Sequence, residues 1–390
     1  MPEAMRVLLA FDKFKDALAA PGACAAAARA LAAIRPDWIV DSCPLADGGE
    51  GFGAILTAAV GGENFPAAVT GPRGNPAAGH VGLVAHDRIP APARTLLGLP
   101  ALPAGARIAV IEMASASGLA LLPPAERDLW HTTTAGTGEL MRLAITRGAA
   151  AIVLGIGGSA TNDLGLGALE ALGLEFLAAD GQRVSSPVPA RWPGIVRIGG
   201  ALAPGLPPIR IACDVTNPLL GPRGAAATYG PQKGLRPGDL ARLDHEAARL
   251  ALMLCGHFGR PDGLMDVPGT GAAGGISFGL MAAAGAELLP GFDLVSGWLD
   301  LDERLARADI VITGEGRFDD SSLQGKGPGA VATRALALGK SVHVFAGRAN
   351  AAQPPAGLML HSITPVDLPL EQALPRAAEF LGRSVRQTFA

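Results

Sequence analysis

The stretch "AAAIVLGIGGSATND" (Ala149–Asp163) decides how this chain is read. Its opening run, Ala149–Leu154, is small or branched and apolar throughout, the composition of a strand covered on both faces, as in a parallel sheet. Gly155, Gly157 and Gly158 then relax the backbone, and Ser159, Ala160, Thr161, Asn162 and Asp163 follow, nearly all short and able to hydrogen-bond. A buried strand that ends in this way either closes a plain turn or builds a loop that receives something polar.

Outward from this stretch, strand-like and helix-like segments alternate. The strand-like runs include "RVLLAF" (Arg6–Phe11), "WIVDSC" (Trp38–Cys43), "RIAVIEMA" (Arg107–Ala114), "IRIACD" (Ile209–Asp214), "DIVITG" (Asp309–Gly314) and "SVHVFA" (Ser341–Ala346). Helical patterns such as "GACAAAARALAAI", "GTGELMRLAITRG" and "LARLDHEAARLALMLC" lie between them. That alternation predicts an α/β protein. At 390 residues the chain exceeds the size of a single core, so two domains are expected. The two ends read as a discontinuous, Rossmann-like doubly wound parallel sheet, residues 1–64 with 291–390. The central segment, 65–290, reads as a second α/β domain, with the active site expected in the cleft between the two.

Composition narrows the partners. A net charge of −3 offers no surface for a polyanion, so nucleic acid is not expected. The four cysteines, Cys24, Cys43, Cys213 and Cys255, are scattered without metal-ligand spacing, which suits reduced thiols in the cytosol. The start "MPEAMRVLLAFDKFKD" is interrupted by Asp12 and Lys13 too early for a signal peptide, and no apolar run is long enough for a bilayer. The sequence therefore reads as cytoplasmic, without a membrane partner.

Four glycine-rich stretches follow strands or stand alone: "LADGGEG" (Leu45–Gly51), "GIGGSATND", "PGTGAAGG" (Pro268–Gly275) and "TGEGRFDDSSLQGKG" (Thr313–Gly327). Glycine turns let backbone N–H groups converge on an anion. Four of them, three carrying carboxylates, point to a phosphate or polyol site. "GTGAAG" imitates a dinucleotide fingerprint but lacks a preceding strand, and "RALALGKS" ends like a P-loop but sits where a helix gives way to a strand. "GIGGSA" does follow a strand, which keeps a nicotinamide-dependent oxidoreductase of a small hydroxy acid as a rival. A non-enzymatic metabolite-binding protein is a second rival. Asp47 follows a strand-like run and Asp214 ends one, where α/β proteins bind ligands, although Asp47 also suits a D-G turn and Asp214 equally suits a turn cap. Glu50 suits a solvated turn, and Thr134 or Thr137 a helix cap. Lys15 suits an anionic substrate or a solvated helix start. Glu315, Arg317, Asp319 and Asp320 gather behind "DIVI", with Lys326 following, a pattern compatible with metal–phosphate binding. No Ser or Cys is framed as a nucleophile.

Taken as a set, "ADGGEG", "IEMASASGLALLPPAERDLWHTTTAGTGEL", "GIGGSATND", "CDVTNPLLGPRGAAATYGPQKG", "GTGAAGG" and "ITGEGRFDDSSLQGKGPGAVA" resemble, in this order, the bacterial glycerate kinases. The resemblance covers essentially the whole chain. It implies phosphorylation of D-glycerate by ATP with Mg²⁺, to 2-phosphoglycerate, by two α/β domains with the site between them; monomer and homodimer both stay open. It further implies that Gly157, Gly158, Ser159, Thr161 and Asn162, with Gly314, Glu315, Gly316 and Lys326, bind the nucleotide phosphates. Lys15, Asp47 and Asp163 are the catalytic candidates, and Lys15, Asp47, Gly48, Gly49 and Asp214 the substrate-binding ones. Asp163, Asp214 and Asp319 are the candidates for Mg²⁺, with Asp163 either a metal holder or the general base. The chain departs from the usual family pattern at Lys13 (Ser), Asp16 (Gly), Phe52 (Thr), Leu164 (Gly) and Ser321 (Gln).

Overall fold

The computed structural model describes residues 4–323 and 327–390. Fifteen strands run in chain order: β1 Arg6–Phe11, β2 Ile39–Ser42, β3 Glu63–Thr70, β4 Pro76–Ala85, β5 Arg107–Glu112, β6 Ala149–Gly155, β7 Leu174–Leu177, β8 Arg197–Gly200, β9 Ile209–Ala212, β10 Glu287–Leu289, β11 Ile310–Gly314, β12 Arg317–Phe318, β13 Ser341–Ala346, β14 Arg348–Ala349 and β15 Leu358–Ser362. The chain divides into two compact units, Met1–Asp47 with Val295–Ala390, and Gly48–Leu294. The division falls at 47 and 294, against the 64 and 290 expected, because the helix Phe52–Ala59 packs on β4 and β5 of the second unit.

The first unit holds a five-stranded, wholly parallel sheet of order β15-β13-β11-β1-β2. Val7, Leu9 and Phe11 of β1 face one core, with Ile312, Phe345 and the helices Ala20–Ile34 and Ala377–Phe389. The alternate residues Leu8, Val311, Val342 and Val344 are buried too, and the helix Gly327–Ala337 packs on β11 and β13. Burial on both faces is what the continuous apolar runs demand. The chain leaves β1 towards β2 on one side and later returns to β11 on the other, so the order reverses between β1 and β11. Ligands of open α/β sheets bind beyond the carboxyl ends of the strands at such a switch point.

The second unit holds a six-stranded sheet of order β10-β9-β6-β5-β4-β3. β5, β6, β9 and β10 run parallel, whereas β3 and β4 form an antiparallel hairpin that continues antiparallel onto β5. The sequence gives little warning of this hairpin, because "ENFPAAVT" and "PAAGHVGLVA" are rich in Ala, Gly and Pro. One of its glycines is required by packing: a Cβ at Gly82 would clash with Thr57 Oγ1. "RALALGKS" lies, as expected, across the end of a helix and the start of β13. Among the described residues no helix is long and apolar enough to cross a membrane.

Candidate active site

In the second unit the loop after β6 is fastened from several directions. The Gly157 N–H donates to the Gly48 carbonyl (2.9 Å), Leu119 N–H to the Gly158 carbonyl (2.7 Å) and Ala160 N–H to the Ser117 carbonyl (2.8 Å). The glycines here are required by contact. A Cβ on Gly155 would lie 2.6 Å from the Gly48 carbonyl oxygen, and one on Gly157 would lie 2.7 Å from Gly49 N. "GIGG" and "DGGE" are thus two halves of one close backbone contact. Glu112, at the end of β5, accepts from Gly51 N–H (2.9 Å) and Gly53 N–H (3.2 Å) and fixes the far side of the second half. "PGTGAAGG" buttresses the loop in turn: Leu164 N–H donates to the Gly274 carbonyl (3.0 Å).

Asp163 is completely buried. Its carboxylate accepts from Thr134 N–H (2.7 Å), Thr134 Oγ1 (2.8 Å), Gly165 N–H (3.1 Å) and Gly167 N–H (3.2 Å). Burial pushes its carboxyl above the ordinary range, and these bonds pull against that push. These four bonds tie the loop to the starts of the helices Ala135–Thr146 and Leu166–Ala171, so Asp163, expected at Mg²⁺ or at a proton, has an anchoring use in the fold. Thr134, expected as a helix cap, uses its hydroxyl on Asp163 instead. The Gly157 N–H, expected at a phosphate, donates to the Gly48 carbonyl. Among the described residues, the N–H groups of Gly158, Ser159, Thr161 and Asn162 have no hydrogen-bond acceptor. Thr161 Oγ1 and Asn162 Oδ1 are buried polar atoms without a partner. The phosphate-binding expectation rests on these four residues.

A residue that the sequence reading passes over completes this unit. Lys233, 2% exposed, donates from Nζ to Ser159 Oγ (2.8 Å) and to the Thr161 carbonyl (2.7 Å). Burial pulls its ammonium down to about 7, with the Asp163 charge pulling the other way. Asp214 resolves towards the capping alternative, because its two oxygens accept from Phe292 N–H at 3.2 and 3.0 Å, at the start of the helix Gly291–Trp298.

The first unit assembles a different set at its switch point. Asp12 directly follows β1, and Glu315 directly follows β11, whose Gly314 carbonyl accepts from Asp12 N–H (3.0 Å). Gly314 is a packing glycine, since a Cβ there would clash with the Phe345 carbonyl. Asp47 pairs with Lys13 Nζ at 2.9 Å. Asp12 is 7% exposed, and burial together with the Asp47 charge raises its carboxyl to about 7, despite the Lys13 ammonium. Glu315 is raised too, first by burial, with Asp319 and Asp47 adding to the push and a bond from Ser322 opposing it. Asp319 pairs with Arg317 Nε (3.0 Å), and the Ser321 hydroxyl and amide hold its carboxyl below the ordinary range. Lys15 is exposed in the turn after Phe14, next to Gly316. Lys326 lies outside the described residues.

Two departures from the family pattern coincide with backbone geometry. Asp16 (φ 60°) and Leu164 (φ 56°) both occupy the left-handed region, where the usual Gly is at ease and a side chain is not. Among the described residues no group of three or more His, Cys, Asp or Glu is arranged to hold a metal ion.

The glycerate kinase family model matches residues 7–390. The chain is 37% identical to a glycerate kinase of Bacillus subtilis, over 99% of this chain and 97% of that protein. It is 38% identical to a glycerate 2-kinase of Escherichia coli, over 88% and 85%. A crystal structure of a putative glycerate kinase 2 from Salmonella typhimurium superposes with a TM-score of 0.76 at 36% identity, covering 99% of this chain and 98% of that one. Sequence and fold agree along nearly the whole length, and the chain belongs to the glycerate kinase family.

Proposed function

We propose that this protein transfers a phosphoryl group from ATP to D-glycerate, and that the 2-hydroxyl is the acceptor. The observation that carries the reading is the family match from residue 7 to the C-terminus, together with a relative named for the 2-kinase activity. Phosphoryl transfer asks little covalent chemistry of a protein and much positioning and charge stabilisation. The loop after β6 suits that demand, with the amides of Gly158, Ser159, Thr161 and Asn162 and the hydroxyls of Ser159 and Thr161 as donors to phosphate oxygens.

Asp12 takes the role first given to Asp163. A proton acceptor works best with a pKa near the operating pH, and Asp12 is raised to about 7 beside Asp47 and Glu315. It receives the proton of the acceptor hydroxyl as the oxygen attacks phosphorus. Lys13 and Asp47 hold each other in place beside it, and the exposed Lys15 supplies a cation for the glycerate carboxylate. Mg²⁺ neutralises phosphate charge when it accompanies ATP. Asp163 suits it less well than an open carboxylate, because four hydrogen bonds from N–H and O–H groups already converge on it.

The test is an assay with ATP, Mg²⁺ and D-glycerate in which ³¹P NMR reads the position of the new phosphate. A 2-phosphoglycerate signal is expected. A 3-phosphoglycerate signal would overturn the regiochemistry alone, and no phosphorylated product would overturn the substrate.

A further inference from the structure

We propose that Lys233 is a positioning residue that turns the Ser159 hydroxyl outward as a hydrogen-bond donor to the nucleotide phosphates; the inference rests on the phosphate-binding reading of the loop after β6. An ammonium has three N–H donors and no acceptor. Held at 2% exposure, Lys233 directs two of them at Ser159 Oγ and the Thr161 carbonyl. A serine hydroxyl that receives a hydrogen from a lysine must send its own hydrogen elsewhere. The backbone that carries Ser159 is fixed beside the lysine, the carbonyl before it by Leu119 N–H and the amide after it by the Ser117 carbonyl, and the bond from Lys233 holds the hydroxyl oxygen itself. The one hydrogen left to Ser159 is therefore offered on the side away from Lys233.

The sequence builds this support on purpose-shaped backbone. Lys233 ends the short turn Pro231–Lys233, its N–H donating to the Gly230 carbonyl (2.9 Å). Gly234 then adopts φ 93° and comes so close to the Arg127 carbonyl that any Cβ would clash. That contact presses the turn inward and delivers the lysine beneath the loop. Buried lysine is uncommon unless paired, and here its acceptors are the two oxygens of the loop itself.

The experiment measures binding of the ATP analogue AMP-PNP with Mg²⁺ to the full chain by calorimetry, for Ser159→Ala, Ser159→Thr, Lys233→Met and the double variant Ser159→Ala/Lys233→Met. Ser159→Ala and Lys233→Met are each expected to weaken binding roughly tenfold, as loss of a charge-assisted hydrogen bond would. The double variant is expected to lose no more than the weaker-binding single variant, and Ser159→Thr to bind as the parent does. Equal losses on Lys233→Met with and without the Ser159 hydroxyl would overturn the proposal, because a merely structural lysine acts independently of that hydroxyl. Unchanged binding in Lys233→Met, with Ser159→Ala weakened, would overturn it while sparing the loop reading. Unchanged binding in Ser159→Ala would overturn the loop reading itself. If Lys233→Met does not fold, Lys233→Gln replaces it, with a partial loss expected that disappears in the Ser159→Ala background; a loss that persists there overturns the proposal.

Discussion

The loop after β6 and the carboxylates after β1 and β11 each follow the carboxyl end of a strand with parallel neighbours, yet their polar groups are used in opposite ways. Around the loop, opposite partners meet: Asp163 accepts four hydrogen bonds, Lys233 finds two acceptors, and glycines of two segments share one backbone contact. Around Asp12, burial first and then the charge of Asp47, with a smaller push from Glu315, raise its carboxyl, although Lys13 pulls the other way. A satisfied network rigidifies, whereas burial with a neighbouring like charge raises the energy of the ionised form and leaves a group ready to accept a proton. The first arrangement holds a shape, and the second holds reactivity.

The comparison breaks most easily at Asp163. Asparagine there keeps one acceptor oxygen and turns an NH₂ against N–H donors in a dry site, so Asp163→Asn should cost about 3 kcal/mol of stability in chemical denaturation. A loss of only a few tenths would mean the carboxylate is not the anchor described. The two left-handed residues sharpen the contrast between a held and a loose position. Leu164 is fully buried, so Leu164→Gly relieves φ strain but removes a core side chain and should lose about 2–3 kcal/mol. Asp16 is exposed with the same strain, so Asp16→Gly should gain about 0.5 kcal/mol. If both substitutions shift the melting temperature in the same direction, burial is not what separates them.

A further consequence concerns pH. The folded carboxyl of Asp12 titrates at about 7, above its ordinary 3.8, so the folded state binds more protons between those values. Its contribution to stability is therefore complete below about pH 4 and is lost as pH rises through 7. Asp12→Asn carries no such proton. The variant should gain on the parent in melting temperature between pH 4 and pH 8, and a constant difference would contradict the raised carboxyl.

Much of the fold is legible in the residues themselves. β1 and β13 are read to the residue from "RVLLAF" and "SVHVFA", because strands buried on both faces cannot hide their composition. The hairpin β3–β4 is not, since its Ala, Gly and Pro carry no preference for a strand. The glycine pattern marks "DGGE" and "GIGG", but the reason for those glycines lies in a contact between residues about a hundred positions apart. Lys233 meets Ser159 across 74 positions, and no local spacing announces a lysine that will be buried. Asp12 was within reach of the sequence, as the first residue beyond a buried strand at the carboxyl edge of the sheet.

The most direct test of the division between holding and reacting is the steady-state turnover of Asp12→Asn with ATP, Mg²⁺ and D-glycerate, measured beside its melting temperature. The account predicts a fall in kcat of about 10²–10⁴ with no loss of stability at pH 8. Turnover close to that of the parent in a folded Asp12→Asn would contradict it, and the proton would have to go elsewhere.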